Sequence, residues 1–569
     1  MSVTQINNRR LRAPREDRAV LIAPPFGQVA DMVAENVRLR GQQDYDFQGR
    51  SLVQLSQLAR RELLDAARRY TTAYRDTTLW EATPVADGGT VHGGSATGVA
   101  SYSPTSSAAI SATPLAQPEP LIFLAGHQPQ MFHPGVWLKD FALGGLAKQH
   151  GAIPVNLVVD SDTFSTPSLR VPGGSVSEPR AELIPFDRPE PAIPFEQRRI
   201  EDREMFATFG RRVAERIAPL VADPLVAQYW PLVLSRAEET DNLGMCLSQA
   251  RHQMEGRWGL QTLEVPQSLV CGGEAFQWFV THLLAQLPRF REVYNEAVRG
   301  YRRRHRIRSA AHPAPELAED GPWLEAPLWV WTAANPWRRR LFAQFDSNEV
   351  LLSDRHSWQS RLPLGPDGAA AAAVAKLLEL QQEGVKIRSR ALVTTLWARL
   401  VLGDLFIHGI GGAKYDEVTN LLIERFFGVQ PPGLMILSGT LHLPIERHRA
   451  TADDARVIQR ELREMTYHPE RFLKGSQEVP PGLLLNKKTW IETPQTPQNA
   501  QQRCRAIRQA NESLQPWLAD RRRQLVARQA ETARLLEAEN ILAWREYAFC
   551  LYPETTVRGF FAGLLPKNA

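Results

Sequence analysis

The spacing of apolar residues changes several times along the chain, and each change predicts a different element. Over residues 50–75, Leu52, Leu55, Leu58, Leu63 and Leu64 recur at helical intervals with arginines between them, which predicts an amphipathic helix in an N-terminal helical region, residues 1–84. From 85 to 120 large apolar residues almost vanish among Gly, Ser, Thr, Ala and Pro; such a composition cannot offset the entropy of ordering, so a flexible linker is expected. The run LIFLA at 121–125 then has the length and composition of a buried strand. Helical spacing resumes over 136–150 and stops at Gly151, and IPVNLVV at 153–159 predicts a second buried strand. Strand, helix and strand within about forty residues are the size of a right-handed βαβ crossover, so the two strands should be parallel.

Residues 200–300 read mainly as helices around a possible strand at 268–271 that ends in Gly272-Gly273. A hairpin is predicted from 327–332 and 340–345, turning at Ala334-Asn335-Pro336. A third α/β unit follows, with a strand at 404–408, a Gly-rich loop at 409–412, a helix at 416–427 and a returning strand at 434–438. Helices at 498–515 and 517–548, split by Pro516, suggest a helical hairpin or imperfect coiled coil. The expected organisation is therefore 1–84 helical, 85–120 linker, 121–445 α/β core with helical and hairpin insertions, and 446–569 helical.

Composition constrains function mainly by exclusion. At 569 residues, 43% apolar and 23% charged, the chain has the balance of a folded multi-unit protein. The basic start lacks an apolar stretch behind it and no run approaches a membrane span, so no membrane association and a cytoplasmic location are expected. Cys246, Cys271, Cys504 and Cys550 lie far apart without metal-ligand spacing, and no metal is expected. The net charge of +5 is too diffuse to argue for nucleic acid, and the basic run from Arg302 to Arg308 lacks the aromatic residues of a base-stacking surface. It reads as a solvated helix end.

Ligands of open parallel sheets bind beyond the carboxyl ends of the strands, which nominates two clusters. Gly126-His127-Gln128 follows the first strand; His127 suits proton transfer, and Gln128 can both donate and accept. Asp160 and Asp162 follow the second strand and are better placed to orient a substrate amine or hydroxyl than to hold a metal. His133 and Lys139 stand at the start of the intervening helix, where free N–H groups favour anions. Gly409, Gly411, Gly412, Lys414 and Tyr415 have the order of an anion- or nucleotide-binding turn, although not the Walker A spacing. Lys386, Arg388 and Arg390 alternate and would face one way in an extended strand, whereas Asn486-Lys487-Lys488-Thr489 reads as a basic loop. The absence of GxSxG, HExxH and EF-hand patterns argues against serine hydrolases, zincins and calcium sensors.

The order of these pieces resembles the bacillithiol-biosynthesis cysteine-adding enzymes. The resemblance rests on Gly126-His127-Gln128, Trp137, Lys139, Pro154-Val155, Asp162, Arg390-Ala391-Leu392, Phe406-Ile407, Gly409, Gly411, Tyr415, Pro431-Pro432 and the segment 544–565, and covers about a third of the chain. It implies a Rossmann-like core of the nucleotidylyltransferase type and a C-terminal coiled coil able to pair two subunits. It also implies an amide-forming ligase that joins an amino acid to an amino-sugar-like amine, with His127 and Gln128 at the substrate site and the 409–415 loop nearby. Read from the residues themselves, His127 and Asp162 are the candidate catalytic groups, Gly126, Gln128, His133, Lys139, Asp160 and Arg390 the candidate substrate-binding groups, and 409–415 the candidate site for an anion or a nucleotide such as ATP or ADP. Nucleotidyl transfer and a non-catalytic scaffold are the rival readings. The sequence departs from the family after the second strand, where Asp160-Ser161-Asp162-Thr163-Phe164 lacks the family's histidine. Residues 1–120 and 300–345 have no counterpart in it.

Overall fold

The computed structural model describes residues 12–76, 119–164, 166–364, 370–447, 450–473 and 479–564. Most of the expected 85–120 linker lies outside the described residues. The apolar run at 121–125 forms β2 (Ile122–His127), which carries His127 as its last residue. All but Gly126 of its six residues are buried, and successive side chains alternate between two hydrophobic clusters: Ile122 and Leu124 on one side, Phe123 and Ala125 on the other.

The first strand of the sheet, β1 (Val20–Ala23), precedes β2 in the chain; β3 (Ile153–Val158), β4 (Leu263–Pro266), β5 (Leu405–His408) and β6 (Met435–Gly439) follow it. Their spatial order is β1-β6-β5-β2-β3-β4, parallel throughout except for the antiparallel edge strand β1. The protein is thus α/β with a mixed, mostly parallel six-stranded sheet. From β2 the chain steps outward through β3 to β4, then returns to the other side of β2 for β5 and β6. The reversal places the carboxyl ends of β2 and β5 side by side, with Ala125 opposite Ile407.

Several predicted elements appear with altered bounds. The helix expected at 136–150 is α3 (Pro134–His150), closed by Gly151 in the left-handed region at φ 63°. The expected strand at 268–271 is instead a helical turn, Gln267–Val270, and the strand is the LEVP segment just before it. Pro266 ends the ladder, which an edge strand tolerates. The hairpin forms, with Trp323–Thr332 pairing Arg339–Phe345 across an irregularity between Glu325 and Trp329. It belongs to a second, antiparallel sheet whose edge strand is Val385–Ser389.

Two helices of the N-terminal region, α1 (Val29–Gln42) and α2 (Leu52–Thr72), pack on the main sheet, and β1 belongs to it. A capping box formed by Ser51 and Gln54 starts α2. At the other end, the two expected helices are Ala500–Leu514 and Ala519–Leu542, separated by a short turn carrying Pro516. They do not form the expected hairpin mainly with each other: the first packs on Pro481–Glu492 and the second on Ala452–Tyr467. The segment expected as a basic loop at 486–489 lies inside Pro481–Glu492, where Lys487 is buried against Glu470. After this bundle the chain returns to the core, Phe549 N–H donating to Phe132 O and Leu225 N–H to Tyr552 O, each at 2.9 Å or less. Among the described residues, no helix is long and apolar enough to cross a membrane.

Candidate functional site

The start of α3 presses against the end of β6 so closely that a Cβ on Gly135 would lie 1.9 Å from Gly439 O. This contact brings Lys139 beneath the ends of β2 and β5. Its amine donates to Gly126 O at 2.8 Å, and its stem runs beside Gly409. Only 4% of the residue is exposed, and burial pushes its pKa down to about 8, with Arg251 adding to the effect and Asp140 opposing it. His133 caps α3 by accepting from Gly135 N–H at 3.1 Å; burial, followed by Arg545 and Lys139, lowers its pKa to about 4. It is neutral near pH 7 and acts in the structure as a helix cap.

His127 points into the core. Its Nε2 lies 3.3 Å from Asp140 Oδ2 and its Nδ1 3.0 Å from Gln128 O, so both nitrogens face acceptors and only the imidazolium can donate to both. Burial nevertheless lowers its pKa, against the pull of Asp140. Asp140 belongs to a buried charged cluster absent from the sequence reading. Arg251, on α4 (Leu243–Arg257), donates to Asp140 at 2.7 Å and also holds Glu255 and Glu264. Asn156 donates to Glu264 at 2.8 Å and Trp137 Nε1 to Glu255 at 2.5 Å. Burial pushes the pKa of Glu255 up to about 8, with the Arg251 guanidinium pulling the other way. Its signal in the sequence was Arg251 and Glu255 four apart on a helix that also carries apolar residues.

The acidic cluster after β3 splits in two. Asp162 accepts from Gln128 Nε2 at 2.9 Å and from Arg338 Nη1 at 2.8 Å, tying the end of β2 to the second sheet. Asp160 turns the other way, accepting from Ser268 N–H at 2.9 Å and from the Ser268 hydroxyl. Burial and then the charge of Glu196 raise its pKa to about 7. Arg390 is distant in role from both: it begins the helix Ala391–Trp397, pairs with Glu325 at 2.7 Å and stacks 4.2 Å over Trp329. Lys386 and Arg388 do share a face of the strand Val385–Ser389, as their alternation predicts, whereas Arg390 lies beyond its end.

The expected 409–412 loop is the opening turn of α5 (Ile410–Leu422), with Gly409 as its cap and no side chain capping it. The backbone N–H groups of this turn are therefore open to an acceptor. Lys414 is exposed, while Tyr415 leans toward the helix Leu287–His305, its ring 6.2 Å from that of His312. A pair not foreseen from the sequence stands here: His408 Nδ1 lies 2.7 Å from Asp416 Oδ2, and Arg399 approaches the other carboxylate oxygen at 3.4 Å. A Cβ on Gly412 would lie 1.8 Å from His408 Nε2, so glycine makes room for that ring. By strand alternation His408 leaves one face of the sheet while Lys139 approaches Gly409 from the other, so the two flank the end of β5. The Arg302 to Arg308 run ends the helix Leu287–His305; Arg302 pairs with Glu316 at 2.7 Å and His305 with Glu417 at 2.7 Å.

Together these features define an α/β protein whose strand order reverses between β2 and β5, with buried polar side chains gathered at the ends of those strands. Comparison with known proteins found no matching family model and no matching curated protein.

Proposed function

We propose that the protein is a Rossmann-like enzyme of the carbon–nitrogen ligase kind, joining an amino acid to the amine of an amino-sugar-like acceptor. The observation that supports this reading is the reversal between β2 and β5, with buried Lys139 beside Gly126 and Gly409 and the open first turn of α5 adjacent. A Lys amine and free helix N–H groups together suit a carboxylate or phosphate, and the crevice at such a reversal is the usual ligand position in this fold. The phosphates of ATP or ADP would be held by the N–H groups of residues 410–412 and by Lys139, with Lys414 at the rim.

In this reading the amino-acid carboxylate displaces pyrophosphate from ATP, the acceptor amine then displaces AMP from the acyl adenylate, and His408, oriented by Asp416, takes the proton from that amine through Nε2. His127, whose nitrogens both have internal partners, supports the site through Asp140, and Asp162 fixes Gln128. Nucleotidyl transfer without amide formation is the second reading, favoured by the uncapped start of α5. The C-terminal bundle carries exposed Val457, Leu485 and Val526, which suit pairing of two subunits.

The test is incubation with ATP, mixed amino acids and a glucosamine-type acceptor, followed by mass spectrometry and nucleotide analysis. Amide product is expected from the natural chain, with losses of about 100-fold for Lys139→Met and His408→Asn. Pyrophosphate release without amide would select the second reading. Unchanged turnover in both folded variants would refute the site.

A further inference from the structure

The His408–Asp416 pair has the parts of an oriented nucleophile as well as those of a base. Asp416 is buried, and buried Arg399 approaches one of its oxygens at 3.4 Å, so the carboxylate is held in place while the other oxygen accepts from Nδ1–H at 2.7 Å. That tautomer leaves the free electron pair of the imidazole on Nε2, which has no partner among the described residues. The ring is also fixed in position: only 17% of the side chain is exposed, and the Phe406 ring lies 5.0 Å away between centroids.

Gly412 shows where that electron pair points. A Cβ there would lie 1.8 Å from Nε2, 2.2 Å from Cε1 and 2.4 Å from Cδ2, a position above the face of the ring rather than in its plane. The electron pair lies in the plane and is therefore clear of Gly412. An added Cβ at Gly411 would meet nothing within 4 Å, so there is open space at the turn whose N–H groups, those of residues 410–412, no side chain caps. A base acting on an amine has no use for these donors, whereas a nucleophilic nitrogen beside them can receive an anionic group whose oxygens they hold. The approach is cationic too. The helix Leu287–His305 meets α5 through Glu417, which takes Arg304 and His305, and Arg303, Arg306 and Arg308 stay exposed without an ion pair among the described residues.

We propose that His408 Nε2 is a phosphorylation site, charged by ATP or by a small phosphoryl donor. With ATP, Nε2 attacks the terminal phosphorus, the bond from that phosphorus to its bridging oxygen breaks, and ADP leaves with the electron pair. No proton moves, because Nδ1–H stays donated to Asp416, whose charge balances that of the phosphorylated ring. The inference uses the His408–Asp416 pair of the ligase reading but not amide formation, and phosphorylation would occupy the nitrogen that acts there as the base.

The test is incubation of the full chain with magnesium and ATP in one arm and phosphoramidate in the other, with no amino acid or acceptor present. Intact mass and peptide mapping at alkaline pH, where phosphohistidine survives, then locate the label. One phosphoryl group on His408 is expected; labelling with ATP identifies a nucleotide donor, and labelling with phosphoramidate alone identifies a small one. His408→Asn should carry none, and Asp416→Asn should react at least about tenfold more slowly, as for the loss of a charge-assisted hydrogen bond. Gly411→Asp fits the open space and sets a like charge in it, so it should slow labelling at least about tenfold as well. Thermal midpoints matching the natural chain establish that the variants are folded. No label in either arm, equal labelling of exposed His356 and His468, or undiminished labelling of Gly411→Asp would overturn the proposal. Amide formation without labelling would overturn it and leave the ligase reading standing, whereas labelling without amide formation would do the reverse.

Discussion

Asp160 illustrates how burial changes the meaning of a residue. It was nominated as a substrate carboxylate, and the structure encloses it between Ser268, Glu196 and Arg388. With its pKa raised from 3.8 to about 7, the folded protein holds a proton through this interval that the unfolded chain has already lost. Its contribution to stability therefore falls as pH rises from about 4 to 7, with ~4 kcal/mol as the upper bound. Asp160→Asn should remove that slope, so urea unfolding of the variant and the natural chain should diverge as pH rises. Parallel pH profiles would contradict the assignment. Lys139 has the opposite dependence: with its pKa lowered from 10.5 to about 8, the cost of burying its charge is relieved as pH rises between those values. His133 was legible only as a residue at a helix start, since a ligand-facing histidine and a capping histidine have the same sequence context.

At the scale of elements, Asp404 joins the N-terminal helices to the sheet. Fully buried just before β5, it receives Ile122 N–H at 2.8 Å, Arg60 from α2 at 3.0 Å and Arg40 from α1. Arg60 also donates to Leu402 O at 2.8 Å. Arg60→Met should therefore destabilise by roughly 3 kcal/mol in denaturant titration, because it strips a buried carboxylate of a partner. A loss below about 1 kcal/mol, the range of an exposed pair, would show that Arg40 and the backbone suffice. Local pattern identified β2, α3, β3 and β5 because each is bounded by its own signals, such as Gly151 after α3. It missed β1, only four residues long, and misplaced β4, since SLVC carries three apolar residues to two in LEVP and only the parallel register beside β3 selects the latter.

At the scale of the molecule, the helices of residues 450–542 form a bundle around Met465, Leu473, Leu514, Leu518 and Leu525, yet leave Leu485 65% exposed. If this bundle pairs two copies, light scattering will give a dimer mass, and Leu485→Glu with Val526→Glu will give a monomer. A monomer in the natural chain would remove that proposal. The sequence by itself determined that the chain is α/β, that Gly126-His127-Gln128 and Gly409 stand at or just beyond strand ends, and that Lys386 and Arg388 share a strand face. These properties depend on neighbours a few residues away, through periodicity, caps and turns. Only the tertiary structure decided that β5 returns beside β2, that Arg251 gathers Asp140, Glu255 and Glu264, that His408 and Asp416 form a pair, and that α2 and the distant strand Val385–Ser389 enclose a cleft. Those features bring together residues from separate elements, and burial, which sets their charge states, exists only once the elements have packed.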